Sequence, residues 1–367
     1  MIIKNLNALG IFGDASLNSV ETAVITTDGV DVREYVANAT FMYPEELFSA
    51  IRAILNKRFV RYDDLETDPQ IAQLKKDISA FYAQIIAQIA DEYAVDIVGI
   101  DGLTVKNDAE NQCSYQLEDG HLLEQMLNRK IITHFHKADL LSGGQAAPLI
   151  PSFLSALSAT AEKPALFIDI ENITSLTYIG ETGELVAFDA APGTAFLDDW
   201  TFRHAHMQTD YNGKLGITGQ IQSSIVQTML RHKVLLRTPP KSLDMTCFFD
   251  KREHLEGLSL EDGTATATCF IAEAIYQAAL DFLPRIPVNI YLCGEGSKNP
   301  TLVRFVKQAF LPRVVKHIQN LNRHISCIGA QSTAYNAVRR LFSLPLTYPS
   351  TTGVHQPITG GEIYDIR

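Results

Sequence analysis

The chain has few cysteines, little spare positive charge and no long apolar run, and each shortage excludes something. Its five cysteines, Cys113, Cys247, Cys269, Cys293 and Cys327, are odd in number, scattered, and form no C-x-x-C pair. That excludes a disulfide framework and a cysteine-rich zinc site, and predicts small core side chains in a reducing compartment. Lys and Arg number 31 against 42 Asp and Glu, a formal net charge of -11, which argues against a nucleic-acid partner because phosphate backbones recruit excess cations. No apolar stretch reaches the roughly 18 residues of a membrane span. The start, "MIIKNLNALGIFGD", lacks the charged head and apolar stretch of a secretory signal, so a cytoplasmic location is expected. There is no low-complexity segment and no simple repeat. What is present is 367 residues, enough for two domains with sizeable cores.

Strand and helix patterns alternate, which predicts the α/β class. "ALGIFG" and "TAVITT" read as strands flanking the turn in "GIFGDASLNSVE". "PEELFSAIRAILNKR" and "DPQIAQLKKDISAFYAQIIAQIADEYA" have helical apolar spacing. "VDIVGIDG" reads as a buried strand, "HLLEQMLNRK" as a helix, "KIITHF" as a strand, and "GGQAAPLIPSFLSAL" as a turn entering a helix. "PALFIDIENITSLTYIGETGELVAFDAAP" predicts three strands, with Gly180 and Gly183 in a hairpin turn. A long helix follows in "EDGTATATCFIAEAIYQAALDFL", then strand, Gly-rich turn and helix in "VNIYLCGEGSKNPTLVRFVKQAF", and a last helix in "GAQSTAYNAVRRLFSLP". The strand pair around Gly13 and the one around Asp169 suggest a loose duplication. His204 and His206, with His134 and His136, are a candidate ligand cluster, since His-x-His on a strand shares a face; loop and surface histidines are the plainer reading.

Six stretches occur in an order that resembles the anhydro-N-acetylmuramic acid kinase family over nearly the whole chain. They are Ser142-Gly-Gly-Gln-Ala-Ala-Pro-Leu-Ile-Pro151, Phe188-Asp-Ala-Ala-Pro-Gly193, Pro239-Pro-Lys-Ser242, Leu258-Ser-Leu-Glu-Asp-Gly-Thr-Ala-Thr266, Cys293-Gly-Glu-Gly-Ser-Lys-Asn-Pro300 and Tyr348-Pro-Ser-Thr-Thr-Gly353. The resemblance implies the two-lobed actin-like ATPase fold of sugar kinases, Hsp70 and actin, with a cleft between the lobes. Residues 1–130 plus 341–367 are expected in the N-terminal lobe and 131–340 in the C-terminal lobe. It implies a reaction in which ATP phosphorylates the sugar 6-hydroxyl while water opens the 1,6-anhydro bridge, giving N-acetylmuramic acid 6-phosphate in peptidoglycan recycling. Mg-ATP is the implied cofactor, the sugar and nucleotide the implied partners, and a homodimer, with apolar contact from the "GGQAAPLIPSFL" helix, the implied assembly. Asp189 falls at the family's base, the carboxylate that activates the water.

The family's ligand loops are altered. Its Gly-Leu-Met-Ser-Gly-Thr-Ser-Leu-Asp-Gly-Val-Asp is here Gly10 to Glu21: Gly13 and Ser16 stand in the loop, but Asp14 replaces Gly, Ala15 replaces Thr, Asn18 replaces Asp and Ser19 replaces Gly. In the second phosphate loop Ile168 and Asp169 replace a Gly pair and Glu171 replaces Ala. In the adenosine-side turn, formed by Gly294, Glu295, Gly296 and Asn299, Glu295 replaces the middle Gly. Glu118 replaces the first Gly of a Gly-Asp-Gly turn. On the sugar side Asp101 replaces His, Leu103 replaces Gln, His134 and His136 replace the ends of Asp-Phe-Arg, and Gly329 replaces a sugar-contacting Glu; Asp139 and Gln145 are kept. Like charges about 4 Å apart at near-surface screening repel by about 4 kcal/mol, so carboxylates in phosphate turns oppose a polyanion. The residues therefore predict a homologue with degraded ATP- and sugar-binding loops, impaired or inactive, with no metal site and an open question whether it takes any cofactor. The alternative is a working ATP-dependent kinase of the family; a third is an enzyme using Asp189 without ATP.

Overall fold

The computed structural model of the chain describes residues 4–13, 19–55, 57 and 62–365. It separates into two compact units, Met1–Leu157 with Arg323–Arg367, and Ser158–Asn322. The first unit begins with β1 (Leu6–Gly13), β2 (Ser19–Thr27), β3 (Val32–Met42), α1 (Glu45–Leu55), α2 (Tyr62–Thr67) and α3 (Pro69–Glu92). It continues through β4 (Ile97–Asp101), β5 (Thr104–Asp108), β6 (Cys113–Gln116), α4 (Gly120–Leu127), β7 (Ile131–Thr133), α5 (Lys137–Leu141) and α6 (Pro151–Leu157). The second unit holds β8 (Ala165–Ile170), β9 (Ile173–Ile179), β10 (Leu185–Pro192), α7 (Thr194–Ala205), α8 (Lys214–Thr218), α9 (Ser223–Leu230), α10 (Leu260–Phe282), β11 (Asn289–Cys293), α11 (Pro300–Ala309) and β12 (Val314–His317). The chain then returns to the first unit with α12 (Ile328–Leu341) and β13 (Glu362–Tyr364).

The α/β class holds, but the unit boundaries differ from those expected. They lie at 157/158 and 322/323 rather than 130/131 and 340/341. The reason is strand pairing and helix packing: β7 runs parallel to β4 and pairs with β13, and α12 lies on β1, β2 and β4. Both therefore belong to the first unit.

In the first unit the sheet order is β13-β7-β4-β1-β2-β3. Gly10 and Gly99 pair in register on β1 and β4. A Cβ on Gly10 would lie 1.9 Å from the Ala330 carbonyl oxygen, and one on Gly99 2.7 Å from that of Thr333. The paired glycines thus form the groove into which the backbone of α12 settles. On α3, Pro69 opens the helix and Asp68 caps it, its side chain accepting from the Gln70 and Ile71 amides. Ile71, Leu74, Ile78, Tyr82, Ile85 and Ile89 form the buried face, at the three-to-four spacing of an amphipathic helix. They share a core with Leu9, Val24, Val98 and Ile100.

The second unit repeats the plan. Its order is β10-β9-β8-β11-β12, an antiparallel meander β8-β9-β10 followed by parallel β11 and β12. The meander β1-β2-β3 followed by parallel β4 and β7 is its counterpart, so the duplication suspected around Gly13 and Asp169 is a repeat of sheet topology. Ser259 caps α10 by accepting from the Asp262 amide, and Gly263 admits the Trp200 indole, 2.1 Å from where a Cβ would stand. Among the described residues no helix is long and apolar enough to cross a membrane.

Candidate functional site

The second unit gathers its candidate residues by strand register. Cys293 pairs with Asp169, Asp169 with Ser175, and Ser175 with Asp189. These four residues form one row across β11, β8, β9 and β10. Lateral partners in a sheet share a face, so Asp169 is brought to the same face as Asp189, two strand spacings or about 10 Å away along the sheet. In β10 the register slips between Asp189 and Ala191, a bulge of the kind that re-aims a side chain at a strand end. Asp189 is buried; its Oδ2 accepts from the Leu243 amide at 2.8 Å, and its own amide donates to the Lys241 carbonyl at 3.0 Å. Lys241 is fully buried, with Nζ donating to the Leu235 carbonyl at 2.9 Å and lying 4.6 Å from the Phe282 ring centre. Burial pushes its ammonium down to about 8, against the nearby charge of Asp189.

Asp169 is 8 % exposed and its Oδ1 has no hydrogen-bond partner. Burial raises its carboxyl to about 6, opposed by a hydrogen bond with Cys293. The same surroundings, burial foremost and then the Asp169 charge, push the Cys293 thiol well up. Gly294 takes a φ of +77° and a Cβ there would meet the Ile170 carbonyl at 2.6 Å and Asp169 Oδ1 at 2.8 Å. Asp169 is therefore pressed against the turn assigned to the adenosine side. In that turn Gly296 packs on Ile170, and Asn299 caps α11 through Oδ1, which accepts from Thr301 and Leu302 amides. Glu295 forms an ion pair with Lys298, so the carboxylate gained there carries its own counter-charge. Glu171 holds the next turn by its backbone: its carbonyl accepts from the Thr194 amide at 2.8 Å and would lie 1.9 Å from a Cβ on Gly193.

In the first unit several altered positions fit one another. Asp101, at the end of β4, pairs with His136: Nε2 lies 3.0 Å from Oδ1, and His136 Nδ1 lies 2.8 Å from the Ala146 carbonyl. Burial opposes the imidazolium, but the Asp101 charge and the two acceptors hold it at about 9. His136 is thus held as a histidinium beside the Asp101 carboxylate. Glu118 is completely buried, bonded to Thr133 Oγ1, and raised to about 7, chiefly by burial. Its Oε2 would lie 2.0 Å from a Cβ on Gly102, so the glycine makes its room. Gly329 is filled in the same way: a Cβ there would meet the Phe12 ring at 2.3 Å, and Phe12 occupies the space a longer residue at 329 would need. Asp139 has both oxygens engaged, Oδ1 by the Ala146 amide at 2.7 Å and Oδ2 by Thr352 Oγ1 at 2.5 Å. With the Gln145 amide donating to the Thr352 carbonyl at 2.8 Å, it clamps one turn to another.

Of the expected phosphate-loop residues, Gly13 ends β1, with Leu103 N 2.6 Å from a would-be Cβ; Asp14, Ala15, Ser16 and Asn18 lie outside the described residues. His204 and His206 are not on a strand but at the end of α7, where His204 stacks 3.6 Å from the Trp200 ring centre and His206 takes the left-handed cap. Among the described residues no three His, Cys, Asp or Glu side chains are placed to hold a metal. Sequence reading missed Ser175 and Cys293 as row members, Lys241 as the buried cation by Asp189, and Phe12 as the filler beside Gly329. The strand patterns of β9 and β11 carried the first two, but only with the pairing register in hand.

Two units, each a meander extended by parallel crossovers with carboxylates at the strand ends, define an α/β protein with the actin-like fold. Within it, the chain belongs to the anhydro-N-acetylmuramic acid kinase family, whose model matches residues 6–366. It is 33% identical over 361 residues to the anhydro-N-acetylmuramic acid kinase of Paramagnetospirillum magneticum, covering 96% of this chain and 98% of that protein. It is 32% identical over 359 residues to the protein of the same name from Acidiphilium cryptum, covering 98% of each. Among solved structures it is similar to component A of (R)-2-hydroxyglutaryl-CoA dehydratase from Acidaminococcus fermentans, with a TM-score of 0.45, 12% identity and coverage of 91% and 98%. It is also similar to a ROK family glucokinase from Streptomyces griseus, with a TM-score of 0.42, 10% identity and coverage of 90% and 99%.

Proposed function

We propose that this family member has lost, or retains only weakly, the ATP-dependent phosphorylation of 1,6-anhydro-N-acetylmuramic acid. The observation that carries the reading is Asp169: a buried carboxylate with an unpartnered oxygen stands where the second phosphate turn has glycine. A phosphate turn works by presenting amide donors to the anion, and Asp169 presents an acceptor. A buried carboxylate at this turn does not suit the triphosphate of Mg-ATP. The mutual fit of Asp101 with His136, and of Phe12 with Gly329, supports the same reading, because sugar-side positions are filled from within the protein. A second reading, an active kinase yielding N-acetylmuramic acid 6-phosphate, is favoured by Asp189, which keeps the family's base position beside a bulge with an amide fixing its carboxylate. The reading includes a homodimer, carried from the resemblance, and a cytoplasmic location, carried from the reading of the sequence.

Calorimetric titration with Mg-ATP, joined to transfer of labelled γ-phosphate to the anhydro sugar, decides between the two. The first reading expects neither binding nor transfer in the wild type, and recovery of some Mg-ATP binding when Ile168→Gly and Asp169→Gly are combined with Asp14→Gly, Ala15→Thr, Asn18→Asp and Ser19→Gly. Micromolar Mg-ATP binding with transfer by the wild type overturns it and leaves the active kinase. Light scattering at micromolar concentration is expected to give twice the 40.6 kDa chain mass; the single mass ends the homodimer.

A further inference from the structure

The second unit carries a basic cavity that begins at Ser297 and Lys298, beside the turn of Gly294 and Gly296, and continues along α11. It measures about 540 Å³ and runs along the exposed face of α11, within the roughly 300–1,000 Å³ of small-molecule sites. Pro300, Val303 and Leu311 supply apolar wall, and Arg304, Lys307 and His317 supply the polar groups. Arg304 and Lys307, three residues apart, are neighbours on one helix face. Neither has an ion-pair partner among the described residues. No carboxylate lines the cavity, in a chain with 11 more acidic than basic side chains. In such a chain a recess walled by cations concentrates the field that draws an anion. Lys298, at the rim, is already paired with Glu295. In the same turn Gly294 and Gly296 pack against Ile170, while Arg304 and Lys307 lie further along α11.

We propose that this cavity binds a phosphate monoester with a small ring body, the phosphate held by Arg304 and Lys307 and the ring resting on Val303 and Leu311. Guanidinium and ammonium are the phosphate-binding side chains, while the apolar wall accounts for the ring. His317, on the edge strand β12, completes the polar end. The cavity and its occupant are independent of whether Asp169 has ended phosphotransfer.

The test uses the full chain, with glucose 6-phosphate as probe, glucose as the uncharged control, and the His317 imidazole resonances as reporter. Glucose 6-phosphate is expected to shift His317 with submillimolar affinity, and glucose to leave it unmoved. Arg304 and Lys307 are exposed, so the double variant Arg304→Glu/Lys307→Glu is expected to fold with an unchanged melting temperature and to bind at least about tenfold more weakly. Lys298→Gln, at the paired rim position, is expected to leave affinity within about twofold. Absence of a His317 shift with glucose 6-phosphate, or equal binding by the charge-reversed variant, overturns the proposal.

Discussion

At the residue scale, the buried carboxyls set the expected pH behaviour. Asp169 has a folded value of about 6 against an ordinary 3.8. A carboxyl raised on folding contributes stability that is present below its unfolded value and is lost as pH rises through its folded value. Between pH 4 and pH 6 Asp169 therefore withdraws stability on the order of 3 kcal/mol. Urea unfolding of wild type and Asp169→Asn is expected to converge near pH 4 and to diverge by pH 7, with the amide variant the more stable; parallel curves across that range would remove the assignment. His136, raised to about 9, loses its contribution over a higher window, from about 6.5 to 9. At position 329 the obstacle to a longer side chain is steric. Gly329→Glu alone must displace the Phe12 ring, an overpacking expected to cost about 1–3 kcal/mol. The pair Phe12→Met/Gly329→Glu is expected to recover most of the lost melting temperature, whereas equal melting of single and double variants would show that Phe12 is not the obstacle.

At the element scale, the most exacting contact is α12 on the first sheet. Helix and strands approach so closely at Gly10 that a methyl group would lie 1.9 Å from a helix carbonyl, a contact that a flexible side chain cannot relieve. Gly10→Ala is expected to cost more than about 3 kcal/mol, at the upper end for single substitutions, and to be read as loss of soluble protein or a large fall in melting temperature. Gly143→Ala is a useful contrast: it has nothing within 4 Å but a φ of +80°, so its cost is backbone strain alone, about 1 kcal/mol. Helix α6, expected to offer an apolar face to a second copy, spends it inside its own unit: Pro151, Phe153, Leu154 and Leu157 are buried, and the Phe153 ring lies 5.5 Å from that of Tyr335.

At the scale of the whole molecule, the two units differ in continuity. Ser158–Asn322 is a single unbroken stretch with its own apolar core. The first unit needs the chain to return, because α12 covers β1, β2 and β4. A fragment of residues 158–322 is expected to fold cooperatively, with a thermal transition followed by circular dichroism. Residues 1–157 alone are expected to remain insoluble or unfolded, and to be rescued when 323–367 is supplied in the same chain. A well-folded 1–157 fragment would show that α12 is dispensable.

The α/β class, most of the strands and helices and the family were legible in the residues alone, because periodicity, capping residues and motifs are local and survive in order along the chain. Which residues meet was decided by the fold. Register across four strands put Asp169 in one row with Asp189 and Cys293; pairing joined Asp101 to His136 and Glu118 to Thr133; and packing set Phe12 in the space beside Gly329. The unit boundaries were decided there too, by β7 and α12. These are contacts between residues far apart in sequence, whose partners are chosen by strand pairing and close packing, and no local pattern records them.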